Sequence, residues 1–270
     1  MKKTLLLLLF SSFQILYAAG SCGNYLSDDG SQKGICDHVN IDFSDKASLQ
    51  RGVKLYMNYC FGCHSLKYSR YNRVAQDLEI PEQLFKKNLM FGDQKLGDLM
   101  TIGMVEKDSK KWFGVTPPDL TLETSLRGVD WVYTYLRTFY LDESRPYGTN
   151  NKVYENVSMP HVLVELQGIQ NSVCKEVPLV AENSGLKQDA LTGEIILQEK
   201  CGFLQIEAGT GQLSPEEFDA SMRDITNFLA YIADPIKEDR ENLGVYVILY
   251  LLIFTLLSYL LYREFKKDVH

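Results

Sequence analysis

Two uncharged apolar runs bracket this chain, and the stretch between them is patterned mainly at helical spacing. The first run, residues 5–10 with 13–16, follows Met1-Lys2-Lys3 and precedes the small residues Ala18-Ala19-Gly20-Ser21. A positive start, a short hydrophobic stretch and small residues describe a removable export leader rather than a membrane span. It is expected over residues 1–21. Cys22, directly after it, raises lipidation of that cysteine as a second reading. The second run, residues 244–262, carries no charge. As a helix it would rise about 28 Å, close to the roughly 30 Å of a bilayer core. Arg263, Lys266 and Lys267 follow at once, and Tyr246, Tyr259 and Tyr262 suit the interfaces. The positive-inside rule then puts residues 263–270 in the cytoplasm and residues 22–243, one sizeable domain, on the export side of a bacterial inner membrane.

Within that domain the apolar spacing of Leu49, Val53 and Tyr56 predicts a helix over residues 45–59, capped by Ser44 or Asp45. Pro81 opens a second helix through Phe91, with proline at the first helical position. Asp130 is expected to cap a third, from Trp131 to Leu141, whose aromatic residues crowd one face. Ser214-Pro215-Glu216-Glu217 is a capping box that starts a helix through Ile232, and Asp234-Pro235 breaks it before the anchor. Little period-two alternation is visible, so strands should be few. Residues 174–219 stand apart, with nine acidic and three basic residues and little periodicity. They predict an exposed acidic insertion, about residues 171–213, built as a disulfide-stapled hairpin.

Charge and cysteine usage narrow the class. The whole chain has net charge −7, but residues 22–243 hold 33 acidic and 23 basic side chains, a balance of −10. That argues against a nucleic-acid partner and suits an acidic carrier that attracts a basic protein. Of the six cysteines, Cys60 and Cys63 lie in one short motif. The other four, in an oxidising compartment, suggest two disulfides. The expected pairs are Cys174–Cys201 and Cys22–Cys36.

The chemistry concentrates in Cys60-Phe61-Gly62-Cys63-His64, the C-x-x-C-H pattern of covalent haem c attachment. Two cysteines three apart on a helical turn present their thiols on one side, toward two vinyl groups on one haem edge. The adjacent histidine presents an imidazole to the iron. Half of a zinc site would need two further ligands, and a thioredoxin-like dithiol would need a βαβ setting; neither context surrounds this motif. The opposite side of the iron is open to several residues. Met90, Met100, Met104 and Met159 are candidates, with His161 a competitor. Met159 stands out because Pro160 stiffens an otherwise polar loop and pushes the preceding residue toward an extended conformation. A thioether there gives a six-coordinate electron carrier, since soft sulfur favours Fe(II). An open position would instead give a haem enzyme or ligand sensor. Pairing of Cys60 with Cys63 would leave a metal-free adaptor. Arg127, Arg137 and Arg145 are candidates for the haem propionates, and Pro117-Pro118 for a stiff wall against the porphyrin.

Read in order, these segments resemble the cytochrome c1 family, the c-type haem subunit of the proteobacterial quinol–cytochrome c reductase (bc1) complex. The resemblance runs through Ser48-Leu49-Gln50-Arg51-Gly52, Asn58-Tyr59-Cys60 to His64-Ser65, Arg70-Tyr71-Asn72-Arg73 and Pro117-Pro118-Asp119-Leu120. It continues through Arg127-Gly128, Asp130-Trp131, Met159-Pro160-His161-Val162-Leu163, Glu165-Leu166-Gln167-Gly168, Ser214 to Glu217 and Asn227-Phe228-Leu229, to the tail Lys267-Asp268-Val269-His270. It implies a mainly α, class I cytochrome c-like haem domain with loop insertions and one C-terminal transmembrane helix. It implies thioether bonds at Cys60 and Cys63, His64 and Met159 as iron ligands, Arg127 near a propionate, and Pro117 and Pro118 along the haem. Electrons would arrive from the Rieske iron–sulfur protein and leave to a cytochrome c, with the anchor beside cytochrome b. Ser125, Val164 and Glu155 depart from residues common in that family; none is a ligand.

Overall fold

A computed structural model describes residues 21–27, 30, 33–179 and 186–267. Helices dominate. α1 (Lys46–Leu55) runs into a widened π-helical turn, Tyr56–Cys60. Then come β1 (Leu66–Arg70), α2 (Tyr71–Asp77), α3 (Glu82–Leu89), β2 (Leu99–Met100), α4 (Glu106–Phe113), α5 (Glu123–Arg127) and α6 (Val129–Arg137). β3 (Phe139–Leu141), β4 (Thr149–Asn151), α7 (Val164–Gln167), β5 (Gln170–Pro178), β6 (Leu197–Ile206), α8 (Pro215–Ala233) and α9 (Lys237–Lys267) complete the chain. The strands form three antiparallel pairs, β1–β2, β3–β4 and β5–β6. The expected leader lies outside the described residues apart from Ser21, as do residues 268–270 of the expected tail.

α1 crosses α8 at the centre of the core. Gly52 permits the approach: a Cβ there would run into the Asp224 carbonyl and come within 2.7 Å of Phe228 Cβ. A buried polar knot locks the crossing. Asp224, 3% exposed, accepts from Arg51 Nε at 2.6 Å and Ser48 Oγ at 2.7 Å. Asn227 donates to the Asp42 carbonyl at 2.8 Å and accepts from the Asp42 N–H at 3.0 Å. Paired and hydrogen-bonded in this way, Asp224 avoids the cost of an isolated buried charge.

The predicted helices appear with informative shifts. Asp45 is the N-cap of α1, its carboxylate accepting from Ser48 N–H at 2.9 Å. Ser214 and Glu217 close the capping box of α8. Pro81 sits one position earlier than expected, as the residue before α3, and α3 stops at Leu89 because Met90 is extended. Asp130 does not cap α6. The helix starts after Gly128, whose φ of 93° only glycine adopts readily. The Asp130 carboxylate instead accepts from the Val39 N–H at 2.9 Å, tying in the N-terminal segment. α6 also ends at Arg137 rather than running to Leu141. Asn151 Nδ2 bonds the Tyr135 carbonyl at 2.8 Å, and residues 139–141 turn into a strand paired with 149–151. A tertiary partner for the backbone overrides the local helical pattern there.

Both expected disulfides are present, Cys22–Cys36 and Cys174–Cys201. The first commits the buried Cys22 sulfur to Cys36, against the lipidation reading. The second joins facing strands of the β5–β6 hairpin, the predicted stapled insertion. α9 includes the whole apolar run and is the one helix among the described residues long and apolar enough to cross a membrane.

Candidate functional site

The π-helical turn sets the haem-attachment motif. Phe61 N–H reaches back five residues to the Tyr56 carbonyl at 2.9 Å. The chain then makes one further turn, with Cys63 N–H and His64 N–H both on the Cys60 carbonyl at 3.1 and 3.0 Å. Cys60 and Cys63 are unpaired, so the metal-free reading with these two as a disulfide is not the arrangement seen. Burial raises both thiols, Cys60 to about 12.

His64 is held at two points. The buried Tyr56 hydroxyl donates to its carbonyl at 2.6 Å. Its ring Nδ1 lies 2.7 Å from the Pro118 carbonyl. A carbonyl only accepts, so Nδ1 carries the proton and the lone pair sits on Nε2. Burial lowers the imidazole's pKa and keeps it neutral. A metal-binding histidine needs this state, with its second nitrogen fixed by an acceptor. The loop with Pro117-Pro118 is tied down beside it: Leu120 N–H bonds the Ser65 carbonyl at 3.0 Å, and Lys67 N–H bonds Asp119 at 2.8 Å. The sequence suggested a wall at these prolines. It gave no sign that the Pro118 carbonyl orients the histidine.

Met159 lies in a loop anchored three residues earlier, at Asn156. Arg145 bonds the Asn156 side chain and carbonyl at 3.1 and 2.9 Å, and Asn150 accepts from the Asn156 N–H at 2.9 Å. Met159 stays partly accessible, and its sulfur accepts from the Tyr135 hydroxyl at 3.4 Å. Of the rival methionines, Met90 and Met100 are buried in the core, while Met104 is partly accessible, as Met159 is. The His161 ring lies flat on Phe139, centroids 5.0 Å apart, and burial lowers its pKa to about 4.

The three arginines have different surroundings. Arg137 is committed to Asp219 and Asp37, which ties α6 to α8 and to the N-terminal segment. Arg145 braces the Met159 loop. Arg127 bonds Glu123 at 2.6 Å, and its guanidinium lies 4.6 Å from the centre of the Trp131 ring. Trp131 stacks in turn on Tyr135, so Arg127 and Met159 stand at two ends of one aromatic row.

The profile of the cytochrome C1 family matches residues 37–269. The chain belongs to the cytochrome c1 family. It is 50% identical over 234 residues to cytochrome c1 of Allochromatium vinosum, covering 87% of this chain and 89% of that one. A protein named ammonia monooxygenase gamma subunit, from Nitrosomonas europaea, is 36% identical over 246 residues, 91% of this chain and 94% of that one. A mitochondrial cytochrome c1 haem protein of Arabidopsis thaliana is 24% identical over 243 residues, 83% of this chain and 68% of that one. Family membership makes this a haem electron-transfer subunit of the bc1 complex with one covalently bound haem c. The donor set fits that group: two unpaired thiols on one turn, a neutral imidazole with Nε2 free, and a thioether on a braced loop.

Proposed function

We propose that Cys60 and Cys63 form the thioether bonds and that His64 Nε2 and Met159 Sδ are the axial ligands of one haem. Bound there, the haem supplies a one-electron Fe(II)/Fe(III) couple. The protein's own groups set its surroundings. His64 is oriented by the Pro118 carbonyl, and Pro117 and Pro118 line the haem. Arg127 faces a propionate, flanked by Leu126 and Tyr154, whose side chains offer exposed apolar surface, 73% and 51% exposed. The observation carrying this reading is the His64–Pro118 hydrogen bond, which leaves Nε2 as the free lone pair on the turn that bears both thiols.

On this reading the domain is a class I cytochrome c-like unit on the periplasmic face, with a removed leader, a single-pass anchor over residues 244–262 and a cytoplasmic tail. It receives single electrons from the Rieske iron–sulfur protein and passes them to a cytochrome c, while the anchor packs beside cytochrome b. The surplus of acidic side chains favours a basic acceptor mainly through association rate.

Met159→Ala tests the ligand assignment. The expected result is a retained covalent haem, a lower midpoint potential and carbon monoxide binding by the ferrous protein. An unchanged spectrum would remove Met159 as ligand. Carbon monoxide binding by the unaltered protein would favour an open-site enzyme or sensor.

A further inference from the structure

A groove of about 640 Å³ opens where the segment after the haem motif meets the end of α8. None of Cys60, Cys63, His64 or Met159 lines it. Arg70 and Arg73 come from β1 and α2, Thr121 and Leu122 from the turn after Pro118, and Ile232 and Pro235 from the end of α8 and just beyond. Both guanidiniums keep donors to spare. Among the described residues, Arg70 gives one Nη1 proton to the Gly97 carbonyl at 2.5 Å, and Arg73 gives its Nε–H to Asp77 at 2.6 Å. Asp77 also accepts from the Tyr231 hydroxyl at 2.5 Å. Two arginines against one carboxylate leave a positive surplus here, in a domain whose balance is −10. Thr121 is 3% exposed, and its hydroxyl has no hydrogen-bond partner among the described residues. A buried hydroxyl left unpaired is costly, and one in the wall of a cationic groove suits an outside acceptor.

The groove stands at a set height over the anchor. Pro235 lies two residues before α9, and this neck is tied to the domain. Arg240 bonds Asp234 at 2.6 Å, and the Lys237 ammonium lies 5.9 Å from the centre of the Phe43 ring. Glu241 is the last charged residue before the apolar run, and the helix rises about 6 Å from Lys237 to that point. A headgroup layer is roughly 5–7 Å deep on each side of the hydrocarbon. Tyr68, which lines the groove, is 71% exposed, and Ile236, next to Pro235, is 53% exposed. An aromatic ring with a polar tip suits that layer. We propose that this groove holds the headgroup of one membrane phospholipid, its phosphate on Arg70 and Arg73 and on the Thr121 hydroxyl. This rests on the reading of α9 as a membrane anchor. Guanidinium forks match phosphate oxygens in charge-assisted pairs. The acyl chains run down beside α9, whose apolar side chains are exposed along its length. A free phosphate would use the arginines and leave the apolar mouth idle. A lipid held there fixes how the haem domain sits on the bilayer.

The test uses the full anchored protein, stripped of lipid in detergent and titrated with phosphatidylglycerol. Native mass spectrometry counts the lipid bound per haem. The unaltered protein should take up one phosphatidylglycerol ahead of any other. Arg70→Gln with Arg73→Gln should weaken that binding about tenfold or more, the effect of losing a charge-assisted hydrogen bond. Lys107→Gln with Lys110→Gln, the same change of charge on α4, should leave it as it was. Thr121→Val should also weaken it, without loss of thermal stability, because it removes a hydroxyl that the lipid-free protein leaves unpaired. Equal affinity in the arginine variant and the unaltered protein would overturn the proposal. Displacement of the lipid by millimolar inorganic phosphate would overturn it too, in favour of a free-anion site. A photoreactive residue in place of Tyr68 should capture lipid in intact membranes; capture of another subunit would overturn the proposal and make the groove a protein interface. Should the arginine variant fail to accumulate, Thr121→Val decides, and unchanged affinity there overturns the proposal. Release of the unaltered protein from membranes by alkaline carbonate alone would overturn the anchor reading and this proposal together.

Discussion

The α1–α8 crossing and the β5–β6 hairpin both join distant parts of the chain, by opposite means. At the crossing, burial does the work. Gly52 lets two backbones touch, and Phe228, Ile225 and Met222 of α8 are wholly buried there. Every polar group that enters is answered, Asp224 by Arg51 and Ser48, Asn227 by Asp42. The hairpin has almost nothing to bury. Along β5 and β6 only Gln170 and Phe203 are buried, and most of the remaining side chains face solvent. An isolated two-stranded hairpin is marginal in water, so its order rests on the backbone ladder, the Cys174–Cys201 bond and a few polar ties to the domain, among them Gln170 Nε2 to the Phe139 carbonyl at 2.6 Å and Lys200 Nζ to the Gly30 carbonyl at 2.6 Å. The haem motif follows directly from α1, on the buried side of this contrast. The acidic insertion lies on the exposed side.

Gly52→Val should break the comparison most sharply. Two γ-methyls and a Cβ driven into the Asp224 carbonyl exceed what side-chain shifts absorb, a loss of more than about 3 kcal/mol. Membranes expressing it should lack the haem-stained band. A normal yield would mean that α1 and α8 do not meet at Gly52. Serine at both Cys174 and Cys201 should have a smaller and strictly local effect. Releasing a constraint across 27 residues removes about 3 kcal/mol of loop-closure stabilisation. Limited proteolysis should then cut the hairpin, while the haem spectrum and midpoint potential stay unchanged; a shifted potential would show the two regions to be coupled. The smallest effect is expected at the tip of the insertion. Leu191 is 96% exposed, and Leu191→Ser should change denaturant stability by no more than about 0.5 kcal/mol.

The pieces of the site that could be read from the chain were those whose chemistry is packed into a few consecutive residues. C-x-x-C-H states its own spacing, and Met159-Pro160 marks a stiff loop. The capping box at Ser214 and the uncharged run at 244–262 are equally local. The misreadings came where a distant partner intervened. Asp130 looked like a cap and serves Val39 instead. Residues 138–141 looked helical until Asn151 and the strand at 149–151 competed for the backbone. Arg137 looked available for a haem carboxylate, yet Asp37 and Asp219 already hold it.

The sequence by itself determined the C-x-x-C-H motif, the apolar run long enough to cross a membrane and the family to which the chain belongs, because each is written in spacing along one short segment or in the order of such segments. Only the tertiary structure decided which nitrogen of His64 is free, which hydroxyl reaches the Met159 sulfur and why position 52 has no side chain. Those depend on the Pro118 carbonyl, the Tyr135 ring and the Asp224 backbone, 54, 24 and 172 positions away along the chain. Hydrogen bonds and close packing act over a few ångströms in space, and no local pattern in the chain records which remote atoms will arrive within that distance.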